Sequence, residues 1–206
     1  MAPIDGAAGR EFAICGRPLP EHEIEIRGDT GGVLPEGRVG QIFTRGPSLM
    51  RGYFDNPEET ARVLSPDGWL DTGDLGYMRN GEVVVTGRVK DLIIVNGRNI
   101  WPQDIEWSVE SHVDGAKENS VAAFQLIDEG DDSAEHERVG LVVECRRREP
   151  ADREALREAT HLMVRKICGV EARVALCAPG ALPRTSSGKL SRSRTRDMFL
   201  AGAFDG

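Results

Sequence analysis

Residues 87–113 read GRVKDLIIVNGRNIWPQDIEWSVESHV, and within them the texture of the chain changes. Asn96-Gly97 follows an apolar run, and an Asn-Gly pair flanked by apolar residues is a strong hairpin signal because both turn positions take positive φ. Beyond Pro102, a residue tolerated in the first turn of a helix, Ile105, Val109 and Val113 recur every four residues and predict a helix. Further on, strands are expected over 120–127 and 139–145. A helix is expected over 152–168, with Leu156, Ala159, Met163 and Ile167 on one stripe, then a short strand over 174–177 and a helix over 192–200. The acidic stretch EGDDSAEHER at 129–138 reads as a solvated, mobile loop.

Before Arg88 the chain is made of short alternating runs separated by turn chemistry: HEIEIRG at 22–28, QIFTRG at 41–46, and the hairpin-like GYMRNGEVVVTG at 76–87 with Asn80-Gly81 at its turn. Asn56 followed by Pro57 marks the start of a short helix over 57–63. The fold class read from this pattern is α+β. A β-rich, distorted barrel-like subdomain over 1–87 precedes a small α/β domain over 88–206.

The balance of 26 Lys and Arg against 34 Asp and Glu leaves a net charge of −8, which argues against nucleic acid or an anionic membrane as the main partner. No apolar run approaches the roughly 18 residues of a membrane span, and MAPIDGAAGREF has neither the basic nor the apolar region of a secretion signal. A cytoplasmic protein without stable membrane insertion is expected. Cys15, Cys145, Cys168 and Cys177 show no metal-like or redox-motif spacing, so buried reduced thiols are expected and no metal site. Only Lys90, Lys117, Lys166 and Lys189 are lysine among the cations, so each marks a place where a compact ammonium was kept over a guanidinium fork.

Three segments carry chemistry: GWLDTGDLGYM at 68–78, GRVKDLIIVNGRN at 87–99 and LPRTSSGKLSRSRTR at 182–196. From TGD alone, Asp74 is either an Asx-turn residue in a hairpin loop or a carboxylate able to accept both hydroxyls of a ribose diol. TSSGK is not a Walker phosphate loop, because Pro183 stands where the first glycine belongs and Leu190 follows the lysine. Arg192, Arg194 and Arg196 read as a solvated helix start or as a patch for an acidic partner. Trp69, Trp101 and Trp107 read as packing residues.

In order and spacing these segments resemble the carboxy-terminal motifs of the AMP-forming adenylating enzymes, over essentially the whole chain. CGRPLPEHEIEI, GRNIWPQDIE and SSGKLSRSRTR look most like the fatty acyl-AMP ligases. The resemblance implies that 1–87 is the last β-subdomain of a large adenylating domain and 88–206 its mobile lid. It further implies a ribose-binding Asp74, a nucleotide-binding Arg88 and a hinge at Lys90. Asn96 and Gly97 would form a loop bordering the thiol channel, and Lys189 would be catalytic beside the carboxylate and α-phosphate. ATP/AMP would be the nucleotide. Mg2+ would be held by a preceding part that also carries the phosphate loop and acyl pocket. The expected partners are a fatty acid and an acyl carrier protein. Two alternatives stand beside this: a long-chain fatty acyl-CoA synthetase using CoA, and a carrier-protein-docking module without activity. For Arg88 a boundary salt bridge, for Lys90 a solvated linker residue, for Asn96-Gly97 an ordinary turn and for Lys189 a surface lysine remain open.

Overall fold

The computed structural model describes residues 12–126 and 138–204. The chain divides into two compact units, Met1–Lys90 and Asp91–Gly206, with a single 3-10 turn, Val89–Asp91, at the division. The sequence pattern placed that division between residues 87 and 88.

In the first unit five antiparallel strands, β1 (Ile14–Gly16), β2 (Glu23–Arg27), β3 (Gly40–Arg45), β4 (Leu70–Arg79) and β5 (Glu82–Arg88), pair in the order β1-β5-β4-β3-β2. The fold is α+β as expected, and among the described residues the barrel-like subdomain is an open sheet, not a closed barrel. β1 and β2 remain the two edges of an open sheet, and a three-residue edge strand offers too little ladder to close one. One face buries Ile26, Ile42 and Val83 with Ile24, Leu34 and Met78 against them. Trp69 is also buried, and the guanidinium groups of Arg27 and Arg45 lie 4.8 and 4.7 Å from its ring. The β4–β5 turn has Asn80 at φ 53° and Gly81 at φ 75°, and both of their amides donate to the Glu36 carboxylate at 2.9 Å. Between β3 and β4, helix α1 (Pro57–Val63) starts as expected: the Asn56 side chain accepts from the Glu59 amide at 3.1 Å and Pro57 takes the first helical position.

The second unit opens with a hairpin, β6 (Ile93–Val95) and β7 (Arg98–Ile100), followed by α2 (Pro102–His112), β8 (Val121–Leu126), β9 (Arg138–Glu144), α3 (Pro150–Cys168), β10 (Ala172–Cys177) and α4 (Arg192–Leu200). β8 runs antiparallel and β10 parallel to the central β9. The alternation of β8 sorts its side chains onto two faces. Val121 and Ala123 join Ile105, Val109, Leu156 and Val164 of α2 and α3, while Ala122, Phe124 and Leu126 join Phe199 of α4. The acidic stretch lies outside the described residues except for Arg138, and so does Ile127.

Helix α3 begins two residues earlier than expected, with Pro150 in its first turn, and its fully buried row is Leu156, Thr160, Val164 and Cys168. Ala159, Met163 and Ile167 flank that row and are only partly buried. A threonine can sit in the row because its hydroxyl donates to the Leu156 carbonyl at 2.8 Å, leaving no buried donor unpaired.

Candidate functional site

Asp74 lies inside a strand, not in a hairpin loop. Opposite β3 the ladder passes from Gln41–Leu75 to Phe43–Asp71, so β4 spends four residues where β3 spends two and bulges over Thr72, Gly73 and Asp74. The bulge is held by its own side chains. Thr72 donates its hydroxyl to the Ile42 carbonyl at 2.8 Å and accepts from the Asp74 amide at 3.1 Å, and the Asp71 carboxylate accepts from the Gly73 amide at 2.9 Å. The Asx-type bond therefore belongs to Asp71. Gly73 takes φ 69°, and a Cβ there would meet nothing within 4 Å, so conformation and not space calls for glycine.

Across the other ladder Asp74 pairs with Arg88, whose Nε donates to Asp74 Oδ1 at 3.1 Å. Both side chains are open to solvent, at 30% and 57% exposure, so the pair contributes about 1 kcal/mol at most and its value is geometric. Arg88 thus makes a salt bridge, and it does so within the first unit, two residues before the division, with its partner Asp74 on the neighbouring strand. Among the described residues the Arg88 bond engages Oδ1, and a carboxylate has further lone pairs on its second oxygen with which it can accept hydroxyl protons.

Lys90 is exposed in the 3-10 turn at the end of the first unit. Asn96 and Gly97 have φ 49° and 68°, consecutive left-handed residues that make the tight β6–β7 turn. Beneath that turn Ile93 and Val95 are buried. The Gln125 side-chain amide brackets Ile94, accepting from its N–H at 3.3 Å and donating to its carbonyl at 3.2 Å.

Lys189 sits in a miniature hairpin between β10 and α4. The Thr185 amide donates to the Lys189 carbonyl at 2.8 Å, the Gly188 amide to the Thr185 carbonyl at 2.9 Å, and the Lys189 amide to Thr185 Oγ1 at 3.2 Å. Arg184 and Leu190 pair below it, and Gly188 turns at φ 79°. The backbone is thus ordered by five-residue chemistry while the lysine itself is exposed. That arrangement projects one ammonium on a flexible stem without a phosphate-cradling nest.

Sequence reasoning missed one cluster. Arg192 is not a solvated helix residue: its Nε and Nη2 each donate to Glu106 at 2.7 Å and its Nη1 reaches Asp91 at 3.3 Å. Burial works against the Arg192 charge, and the hydrogen bonds and charges of Glu106 and Asp91 outweigh it, raising its pKa above the ordinary arginine value. Arg194 and Arg196 are exposed. The overlooked signal was Glu106 itself, a carboxylate beside Ile105 on the apolar side of α2 that required a cation. Of the tryptophans only Trp69 is fully buried. Trp107 is at the surface, with its ring 5.8 Å from and edge-on to His112.

Among the described residues no group of three or more His, Cys, Asp or Glu side chains could hold a metal ion. Cys15 is exposed and the other three thiols are buried; burial pushes Cys168 and Cys177 up to about 11, leaving them protonated. No helix among the described residues is long and apolar enough to cross a membrane.

Residues 4–54 match the family model described as AMP-binding enzyme. A Caulobacter vibrioides protein provisionally named acyl-CoA synthetase is 52% identical over 203 residues, covering 98% of this chain and 35% of its own length. The chain is similar to AMP-binding enzymes along almost its whole length. The long-chain-fatty-acid–AMP ligase FadD26 of Mycobacterium marinum is 33% identical over 98% of the chain and 36% of its own length. A solved structure from a study of fatty acyl-adenylate ligases of E. coli and L. pneumophila superposes with a TM-score of 0.78 at 39% identity, over 98% of this chain and 35% of that one. The chain spans about a third of the length of the AMP-binding relatives it matches.

Proposed function

We propose that this chain is the carboxy-terminal part of a fatty acyl-AMP ligase, which joins a fatty acid to ATP as an acyl-adenylate, releases pyrophosphate and passes the acyl group to the thiol of an acyl carrier protein. The observation that carries the reading is the Thr72–Asp74 bulge, a glycine-dependent device that presents a carboxylate braced by Arg88. In the proposed reaction Asp74 accepts the ribose hydroxyls, and Arg88 orients that carboxylate and adds positive charge near the nucleotide. The Lys189 ammonium offsets charge gathering on the α-phosphoryl oxygens as the fatty carboxylate attacks. Lys90 is the pivot between adenylating and transferring poses, and the Asn96-Gly97 turn borders the path of the incoming thiol. Mg2+ would be held elsewhere in the longer protein that carries this chain, where it would offset phosphate charge.

The fatty acyl-AMP ligase relatives support a fatty acid as substrate. The 52% identity to the Caulobacter protein favours the second reading, a long-chain fatty acyl-CoA synthetase that uses CoA as acceptor. Pyrophosphate exchange driven by fatty acid in the protein that carries this chain, followed by thioester analysis with CoA and with carrier protein, separates the two. Thioester on the carrier alone supports the ligase, thioester on CoA the synthetase, and no fatty-acid-dependent exchange rejects both.

A further inference from the structure

Arg192 joins three places that lie far apart in sequence. It is the first residue of α4 and stands three positions after Lys189, at the base of the miniature hairpin, where the Ser191 amide closes the loop on the Pro183 carbonyl at 2.9 Å. Its fork engages Glu106 on α2 through two bonds of 2.7 Å. Glu106 is itself fixed, because its Oε1 also accepts from the Ala123 amide of β8 at 3.0 Å. The third contact, Asp91, is 101 residues away in sequence and follows Lys90 directly.

We propose that Arg192 is a positioning residue that holds the Lys189 loop and the first residue beyond the Lys90 pivot in one rigid body. This rests on the reading of Lys189 as the catalytic ammonium. An ion pair serving stability alone has no need of this location, and apolar residues of similar volume commonly replace such pairs at little cost. This one sits where the loop meets the helix and uses all three guanidinium nitrogens, a geometry an ammonium cannot copy. When the chain turns at Lys90, Asp91 and Lys189 then move together and the loop takes up no slack.

The test uses Arg192→Met, Arg192→Lys and, as a control on the exposed side of α4, Arg194→Met, in the protein that carries this chain. Two readouts are taken: amide hydrogen exchange at Thr185, Gly188, Lys189 and Ser191, and the two half-reactions, pyrophosphate exchange and transfer from preformed acyl-adenylate. Arg192→Met is expected to speed exchange of the loop amides at least tenfold while β9 stays protected. It should lower the kcat of pyrophosphate exchange at least tenfold with the KM for ATP within threefold, and leave transfer within threefold of wild type. Arg192→Lys should fall between, and Arg194→Met should match wild type. Unchanged loop exchange, loosened amides without loss of kcat, or equal losses in both half-reactions with exposure of β9 would each overturn the proposal. If the wild-type protein makes no acyl-adenylate, the proposed function fails, and the loop amides alone still decide whether Arg192 holds the loop.

Discussion

Lys189 extends from an ordered backbone, so its removal should subtract charge without disturbing the fold. Lys189→Ala is expected to lower pyrophosphate exchange on the order of 100-fold or more, the equivalent of roughly 3 kcal/mol of lost transition-state stabilisation. Transfer from preformed acyl-adenylate should stay largely intact, and equal losses in the two assays would remove Lys189 from the first step. Glu110 makes a second residue-level test. Burial raises its pKa, against the lowering effect of the Asn119, Val121 and Ser120 amides, and Glu106 adds repulsion. A carboxyl whose folded pKa is raised contributes stability fully present below the ordinary glutamate range near 4.3 and lost as pH rises through the raised folded value. Glu110→Gln can still accept from the same amides. It should melt higher than wild type at pH 7, and the difference should vanish toward pH 4; a pH-independent difference in Tm would show that ionisation is not the cause.

At the scale of elements the central test is β9. Gly140 faces Phe124, and a Cβ there would lie 2.3 Å from the ring's Cε2, while the same ring packs edge-on against Phe199 of α4 with centroids 5.4 Å apart. Gly140→Ala should cost about 1–3 kcal/mol by overpacking, visible in thermal denaturation as a Tm lower by several degrees. An unchanged Tm would mean the α4 face can give way. Elements announced by local chemistry were legible in the sequence: α1 from Asn56 and Pro57, the two Asn-Gly hairpins, and α4 to the residue. What depended on partners was not. The buried row of α3 runs through Thr160, whose satisfaction within its own helix turn cannot be read from apolar periodicity. The bulge at Thr72–Asp74 exists only relative to β3, and TGD by itself gives no sign of a neighbouring strand. The engagement of Arg192 required knowing that Glu106 faces inward from 86 positions away.

The two units meet in sequence at one 3-10 turn, and Lys90 is its exposed middle residue. Proline at that position holds φ near −65° and removes an amide, so Lys90→Pro should narrow the conformations open to the proposed pivot. Adenylation is expected to survive while overall thioester formation falls. Unchanged turnover in a coupled thioester assay would place the pivot elsewhere. Because each unit has its own buried cluster, such a variant should fold with a Tm close to wild type, which distinguishes a trapped pivot from a damaged protein.

The Thr72–Asp74 bulge adds two residues to β4, and the evenness of that number matters. Side chains on a strand alternate between faces, so an odd insertion would turn every residue beyond it inside out, whereas an even one leaves Leu75 and Gly76 facing as they would in an unbroken strand. The device is therefore removable. Deleting Thr72 and Gly73 together should restore a continuous β3–β4 ladder and preserve melting behaviour while abolishing fatty-acid-dependent pyrophosphate exchange. Deleting Gly73 alone should reverse the parity of half a strand and lower Tm sharply. An excision tolerated by the fold and fatal to the chemistry would mark these two residues as an insert kept for what it holds out, not for what it holds together.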